Sequence, residues 1–149
     1  MNRWIRIVLT VLTALVGITA IAGGVALIIG ASTPSASGGV VPDRAYLGGS
    51  PFTSYIVPGL VLAVIVGGTH LLAALLVGRG APSGPFATVV AGFGLLIWIF
   101  VQMMFIPFSV LQAIYFAAGL AELGFVLLGL GLLRRDRVVP VSSRAASGS

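Results

Sequence analysis

The chain has 149 residues, of which 58% are hydrophobic and only 7% charged, with no cysteine and a net charge of +5. Soluble proteins carry roughly a quarter of their residues charged, so a globule of this size could not cover so much apolar side chain, and lipid is the expected solvent. Without cysteine there are no disulfides, thiolate metal ligands or thiol nucleophiles. All eight cations are arginines that mostly flank apolar runs, which argues against the basic, aromatic-interleaved face of a nucleic-acid binder.

The first apolar run covers about residues 4–30. Its start, "NRWIR", has the look of a signal-peptide n-region, and Ala20-Ile21-Ala22 that of a cleavage site. The apolar stretch continues through "GGVALIIG", longer than the 7–15 residues of a typical h-region, so a retained helix is expected. Residues 31–54 are rich in Ser, Gly and Pro and read as a loop, with Tyr46, Leu47 and Phe52 placed at a membrane interface. A second run spans about residues 55–77, and the tight polar turn "GRGAPSGP" leads to a third at about 86–105. A fourth, at about 108–133, follows almost at once. Joined as one helix, residues 86–133 would extend about 70 Å, more than twice the hydrocarbon core. Pro107 also disfavours helix at Ile106, so the two runs form a hairpin. Residues 138–149 lack an apolar period and read as a disordered tail.

Each run reaches the roughly 20 residues that cross a bilayer, and only helix satisfies its own backbone there. The expected fold is therefore all-α: a four-helix transmembrane bundle forming one domain over residues 1–137. Arginine sets its orientation. Arg3, Arg6, Arg79, Arg134, Arg135, Arg137 and Arg144 fall on one side, and only Arg44, beside Asp43, on the other. By the positive-inside rule both termini are cytoplasmic and the 31–54 loop is external.

Helical spacing picks out inward stripes. Small residues on such stripes let backbones approach in lipid. They are Gly17, Ala20 and Gly24 in the first helix, and Gly59, Ala63, Gly67, His70 and Ala74 in the second. The third offers Ala91, Gly94, Trp98 and Gln102, the fourth Gln112, Tyr115, Gly119 and Glu122.

Five of these residues form the candidate intramembrane polar site: Glu122, His70, Gln102, Gln112 and Tyr115. Glu122 lies alone in "YFAAGLAELGFVLLGLGLLRR". A charged acid at the centre of a membrane helix costs about 3 kcal/mol, so it is expected protonated or paired with His70. The two can meet if the second and fourth helices are neighbours. An intramembrane acid is by default a functional hypothesis, here a proton- or ligand-linked site in a small transporter. The plainer alternative is a hydrogen bond that holds the bundle together. Gln102 and Gln112, five residues either side of Pro107, share a depth and suggest an amide pair across the hairpin. Trp98, Tyr115 and Phe116 read as packing or interfacial residues before a ligand cage. The "RRDR" cluster reads as an orientation signal, with attraction to anionic headgroups secondary.

His70 has no second ligand at metal-binding spacing, and neither a metal nor a cofactor is expected. GxSxG, HExxH, a Walker loop and a paired-acid site are all missing, so the expectation is a non-enzyme. Its partners are the bilayer and, by interior stripe or surface, a second copy or another membrane subunit.

Two segments carry a resemblance. "LGGSPFTSYIVPGLVLAVIVGG" and "LLIWIFVQMMFIPFSVLQAIYFAAGLAEL", with Gly49-Ser50-Pro51-Phe52, Pro58-Gly59, Leu111-Gln112, Tyr115-Phe116 and Gly119, resemble a group of uncharacterised, small four-helix integral membrane proteins of high-GC Gram-positive bacteria. In that group an acid often stands where this chain has Gln102, so no ionic role carries over to that position. "GLAELGFVLLGLG" is similar to DoxX-like membrane proteins over about a dozen residues. Both resemblances imply a four-helix membrane architecture, and neither implies a reaction.

Overall fold

The structure is a computed structural model that describes residues 1–32, 46, 48 and 52–132. Four helices follow one another: α1 (Arg3–Ser32), α2 (Ile56–Gly78), α3 (Gly84–Phe105) and α4 (Val110–Gly129). All four are long and apolar enough to cross a membrane, and no strand occurs among the described residues. They form an up-down-up-down ring: α1 packs on α2, α2 on α3, α3 on α4, and α4 returns to α1. The start of α1, the α2–α3 turn and the end of α4 share one end, called proximal here. The α3–α4 turn lies at the distal end.

The ring is apolar on the outside. Phe86, Phe100, Met104, Val110 and Leu111 are all more than half exposed. A soluble monomer rarely presents so continuous an apolar surface, whereas lipid covers it at no cost. Small residues hold the inside together instead. A side chain on Gly59 would reach the carbonyl oxygen of Gly24 at 2.7 Å, and one on Gly17 the backbone nitrogen of Leu71 at 3.1 Å. Close backbone approach of this kind replaces the hydrophobic drive that lipid removes between helices.

The stripes of α1, α2 and α4 face inward much as the spacing indicates, with Gly17, Ala20, Gly24, Gly59, Gly67, His70, Ala74, Gln112, Gly119 and Glu122 buried. The α3 stripe needs correction. Its buried face is Thr88, Ala91, Gly92, Leu95 and Ile99, and the position of a side chain on Gly94 has nothing within 4 Å. Midway along α3, Gly92 packs closely and Gly94 does not.

Val61–Gly67 in the middle of α2 is π-helical. A wider turn adds a residue to the local repeat, so a constant 100° per residue does not carry across it. Val66 and Gly67 are buried within it, and His70 follows directly in regular α-helix.

Two helices end on a left-handed glycine. Gly80 (φ 69°) and Gly131 (φ 76°) follow α2 and α4. Each sits in a paired hydrogen-bond pattern: Gly80 N–H donates to Val77 and Ala81 N–H to Leu76, while Gly131 N–H donates to Leu128 and Leu132 N–H to Leu127. This is the Schellman termination, which needs a residue without Cβ. It stops α4 at Gly129, short of the 133 expected from apolarity alone. Between α3 and α4, Ile106 ahead of Pro107 is extended (φ −118°, ψ 133°), as proline demands of its predecessor.

The start of α4 is a capping box. Gln112 N–H donates to Ser109 Oγ (3.4 Å) and Ser109 N–H donates to Gln112 Oε1 (2.9 Å). Ser109→Ala is expected to cost about 0.5–2 kcal/mol, read as a lower unfolding midpoint in mixed micelles. An unchanged midpoint would mean the box adds nothing to the turn. Most of the expected 31–54 loop, Leu47 included, and all of the 138–149 tail lie outside the described residues.

Candidate functional site

The five polar residues separate into two groups. His70 and Glu122 form the first. Both are 0% exposed, with His70 Nε2 3.2 Å from Glu122 Oε2. They come from α2 and α4, which are diagonal in the ring and make little or no backbone contact. The helices are thus not neighbours, although adjacency is the arrangement under which their spacing lets the two residues meet. Two long side chains reach across the bundle axis instead.

The pair is a polar layer between two apolar ones. On the distal side lie Val16, Ala20, Val66, Leu95 and Ile99, and on the proximal side Leu9, Val77 and Val126. Gly92 backs the carboxyl group: a Cβ there would stand 3.3 Å from Glu122 Oε2. A larger residue on α3 would press on the oxygen that faces His70.

Hydrogen bonding fixes where one proton sits. His70 Nδ1 is 2.7 Å from the Val66 carbonyl oxygen. A carbonyl only accepts, so Nδ1 carries the hydrogen. In a neutral ring Nε2 is then bare, and a charged Glu122 would set lone pair against lone pair. Two arrangements avoid this: neutral His70 with protonated Glu122, or imidazolium with carboxylate. Each leaves one proton to be held by either Nε2 or Oε2. The two atoms stand at ion-pair distance without hydrogen-bond alignment, and neither Nε2 nor either Glu122 oxygen has a hydrogen-bond partner among the described residues. Each group has only the other to answer it.

Thr13 and Thr88 were not legible as site residues, yet both are fully buried. Each lies about one turn proximal to the pair, judged from Gly17 beside Leu71 and Gly92 beside Glu122. Their hydroxyls donate to their own helices, Thr13 to Leu9 and Thr88 to Gly84. A threonine alone inside an apolar run carries little signal, because this back-bonding satisfies it anywhere.

Gln102, Gln112 and Tyr115 form the second group, on the distal side. All three line a cavity of about 250 Å³, with Thr19 and Gly23 of α1, Trp98 of α3 and Ser109 at the turn among its other walls. His70 and Glu122 do not line it. Among the described residues no hydrogen bond joins Gln102 to Gln112. The expected amide pair is replaced by the capping box, which engages Gln112 Oε1. The spacing Ser109-Val110-Leu111-Gln112 is itself the S-x-x-Q signature of that box, a signal that could have assigned Gln112 from sequence. Phe116 is 43% exposed and faces outward, while Trp98 packs partly against the distal apolar cluster.

No group of three or more metal-ligating side chains occurs among the described residues. Among known proteins, no family model, no curated protein and no solved structure matches the chain. The site is therefore read from its own chemistry.

Proposed function

We propose that this chain is a non-enzymatic, multi-pass membrane protein with a structural or accessory role, in which His70 and Glu122 clasp the two diagonal helices. The observation that supports it is the complete burial of the pair between two apolar layers. A polar contact in that position specifies one helix register, since any slip would leave two ionisable groups unanswered in lipid. The arginine distribution supports cytoplasmic placement of both termini, and the resemblance to small bacterial membrane proteins supports a bacterial plasma membrane. The apolar outer surface supports association with a second copy or another membrane subunit. A proton- or ligand-linked transporter using Glu122 and His70 is the competing reading, and it needs the pair to communicate with water.

Isotope exchange separates the two. The Glu122 band is assigned in nanodiscs by infrared difference against Glu122→Gln, and its shift is followed after transfer to D₂O. For a clasp, exchange is expected to lag minutes or more behind mixing. Exchange complete within the mixing time would overturn the structural reading in favour of a water-connected site.

A further inference from the structure

The distal cavity has features the clasp does not use. A second space of about 80 Å³ lies beside it, reaching Tyr46, Phe52, Tyr55 and Pro58, and the two share Leu27, Trp98, Gln102 and Ile106 as walls. Every described residue lining either space is uncharged. An ionic ligand would find no counter-charge among them and would lose its hydration.

Of the polar groups on these walls, several are already engaged. Thr19 donates to Leu15, and Ser109 and Gln112 answer each other. The side chains of Gln102 and Tyr115 have no hydrogen-bond partner among the described residues. A primary amide offers two donors and an acceptor, and a phenol offers one donor and an acceptor. On a mainly apolar wall such groups favour a ligand that can answer them. Gln102 lines both spaces, and the rest of the lining is mainly aliphatic and aromatic. A few polar groups on an apolar wall are the usual make-up of a small-molecule pocket. At ~30 Å³ per water molecule the larger space holds about eight water volumes. That is room for a head group and a few methylenes, and too little for the body of a double-chain lipid.

We infer that the two adjoining cavities bind a neutral, single-chain amphiphile drawn from the bilayer. Its uncharged hydrogen-bonding head sits between Gln102 and Tyr115, and its chain lies against Trp98. The distal position, beside the α3–α4 turn, puts the head near the membrane interface, where such a molecule already resides.

The sequence supplies its own reporter. Trp4 and Trp98 are the only tryptophans, and Trp4 packs against Phe125 at the proximal end. The Trp4→Phe protein in phosphatidylcholine nanodiscs therefore reports on Trp98 alone. Titrated with 11-bromoundecanol, it is expected to show saturable quenching, with 1-bromoundecane at least fivefold weaker in half-saturation. Gln102→Leu, alone or with Tyr115→Phe, is expected to weaken the alcohol about tenfold and leave the alkane unchanged. Gly23→Leu should abolish saturation by filling the space, since a Cβ at Gly23 meets only Leu62, at 3.5 Å. Quenching that rises linearly and equally in all variants would overturn the site, as partition into the bilayer alone. Saturation with alcohol and alkane equal and Gln102→Leu silent would overturn the head-group assignment. No arm touches His70 or Glu122, so either result is independent of the clasp.

Discussion

Glu122→Leu is expected to destabilise the bundle by about 1–3 kcal/mol, the cost of leaving one buried polar atom unanswered. The atom is His70 Nε2, whose ring is pinned by the Nδ1 bond to Val66 and has no other partner among the described residues. Two general effects bracket this value. Breaking a buried ion pair in a soluble protein costs 3–5 kcal/mol. Polar contacts between membrane helices average about 0.6 kcal/mol, because the separated helices find other partners. Complete burial between two apolar layers places this pair above the membrane average. Adding His70→Phe to Glu122→Leu should recover much of the loss, since the remaining polar atom goes with the ring. The check is a double-mutant cycle of unfolding free energies in mixed micelles. Additive losses would mean the two side chains do not interact, and the clasp would have to be abandoned.

The second large effect concerns the α1–α2 contact. Gly24→Ala would place a Cβ against the carbonyl oxygen of Gly59, 2.7 Å from the Ala63 Cβ and 2.8 Å from its backbone nitrogen. Two of these three atoms are backbone and cannot rotate aside, so the helices must separate. Overpacking of this kind costs about 1–3 kcal/mol, and Gly24→Leu should cost more. Gly68→Ala is the internal contrast. It lies on the same helix as Gly59, with nothing within 4 Å of the added methyl, and alanine is the better helix former. The expected outcome is a lower unfolding midpoint for Gly24→Ala and an equal or higher one for Gly68→Ala. Equal losses at both positions would show that backbone propensity, and not close approach, governs the pair.

The clasp and the close approach are linked through α2. The π-helical stretch lies between Gly59, which meets α1, and His70, which meets α4. By changing the repeat midway, it lets one helix present glycine to one neighbour and histidine to the diagonal partner. A regular helix through the same residues would turn His70 to a different bearing.

Four apolar runs of spanning length, separated by Pro107 and by polar turns, determine four helices and their alternating direction from sequence alone. The reason is local: in lipid each backbone must close its own hydrogen bonds, so length and apolarity suffice. The inward faces of α1 and α4 are equally legible, because small and polar residues recur there at undisturbed helical spacing. Other features depend on which backbones meet. Apolarity does not end α4 at Gly129; the left-handed turn at Gly131 does. Gly92 packs closely midway along α3 and Gly94 does not, because α4 crosses beside Gly92 with Glu122 and Leu123. The spacing of His70 and Glu122 names both residues and a matching depth. That they meet across the diagonal was decided by the order of helices around the ring and the π-turn in α2, which only the packed bundle sets.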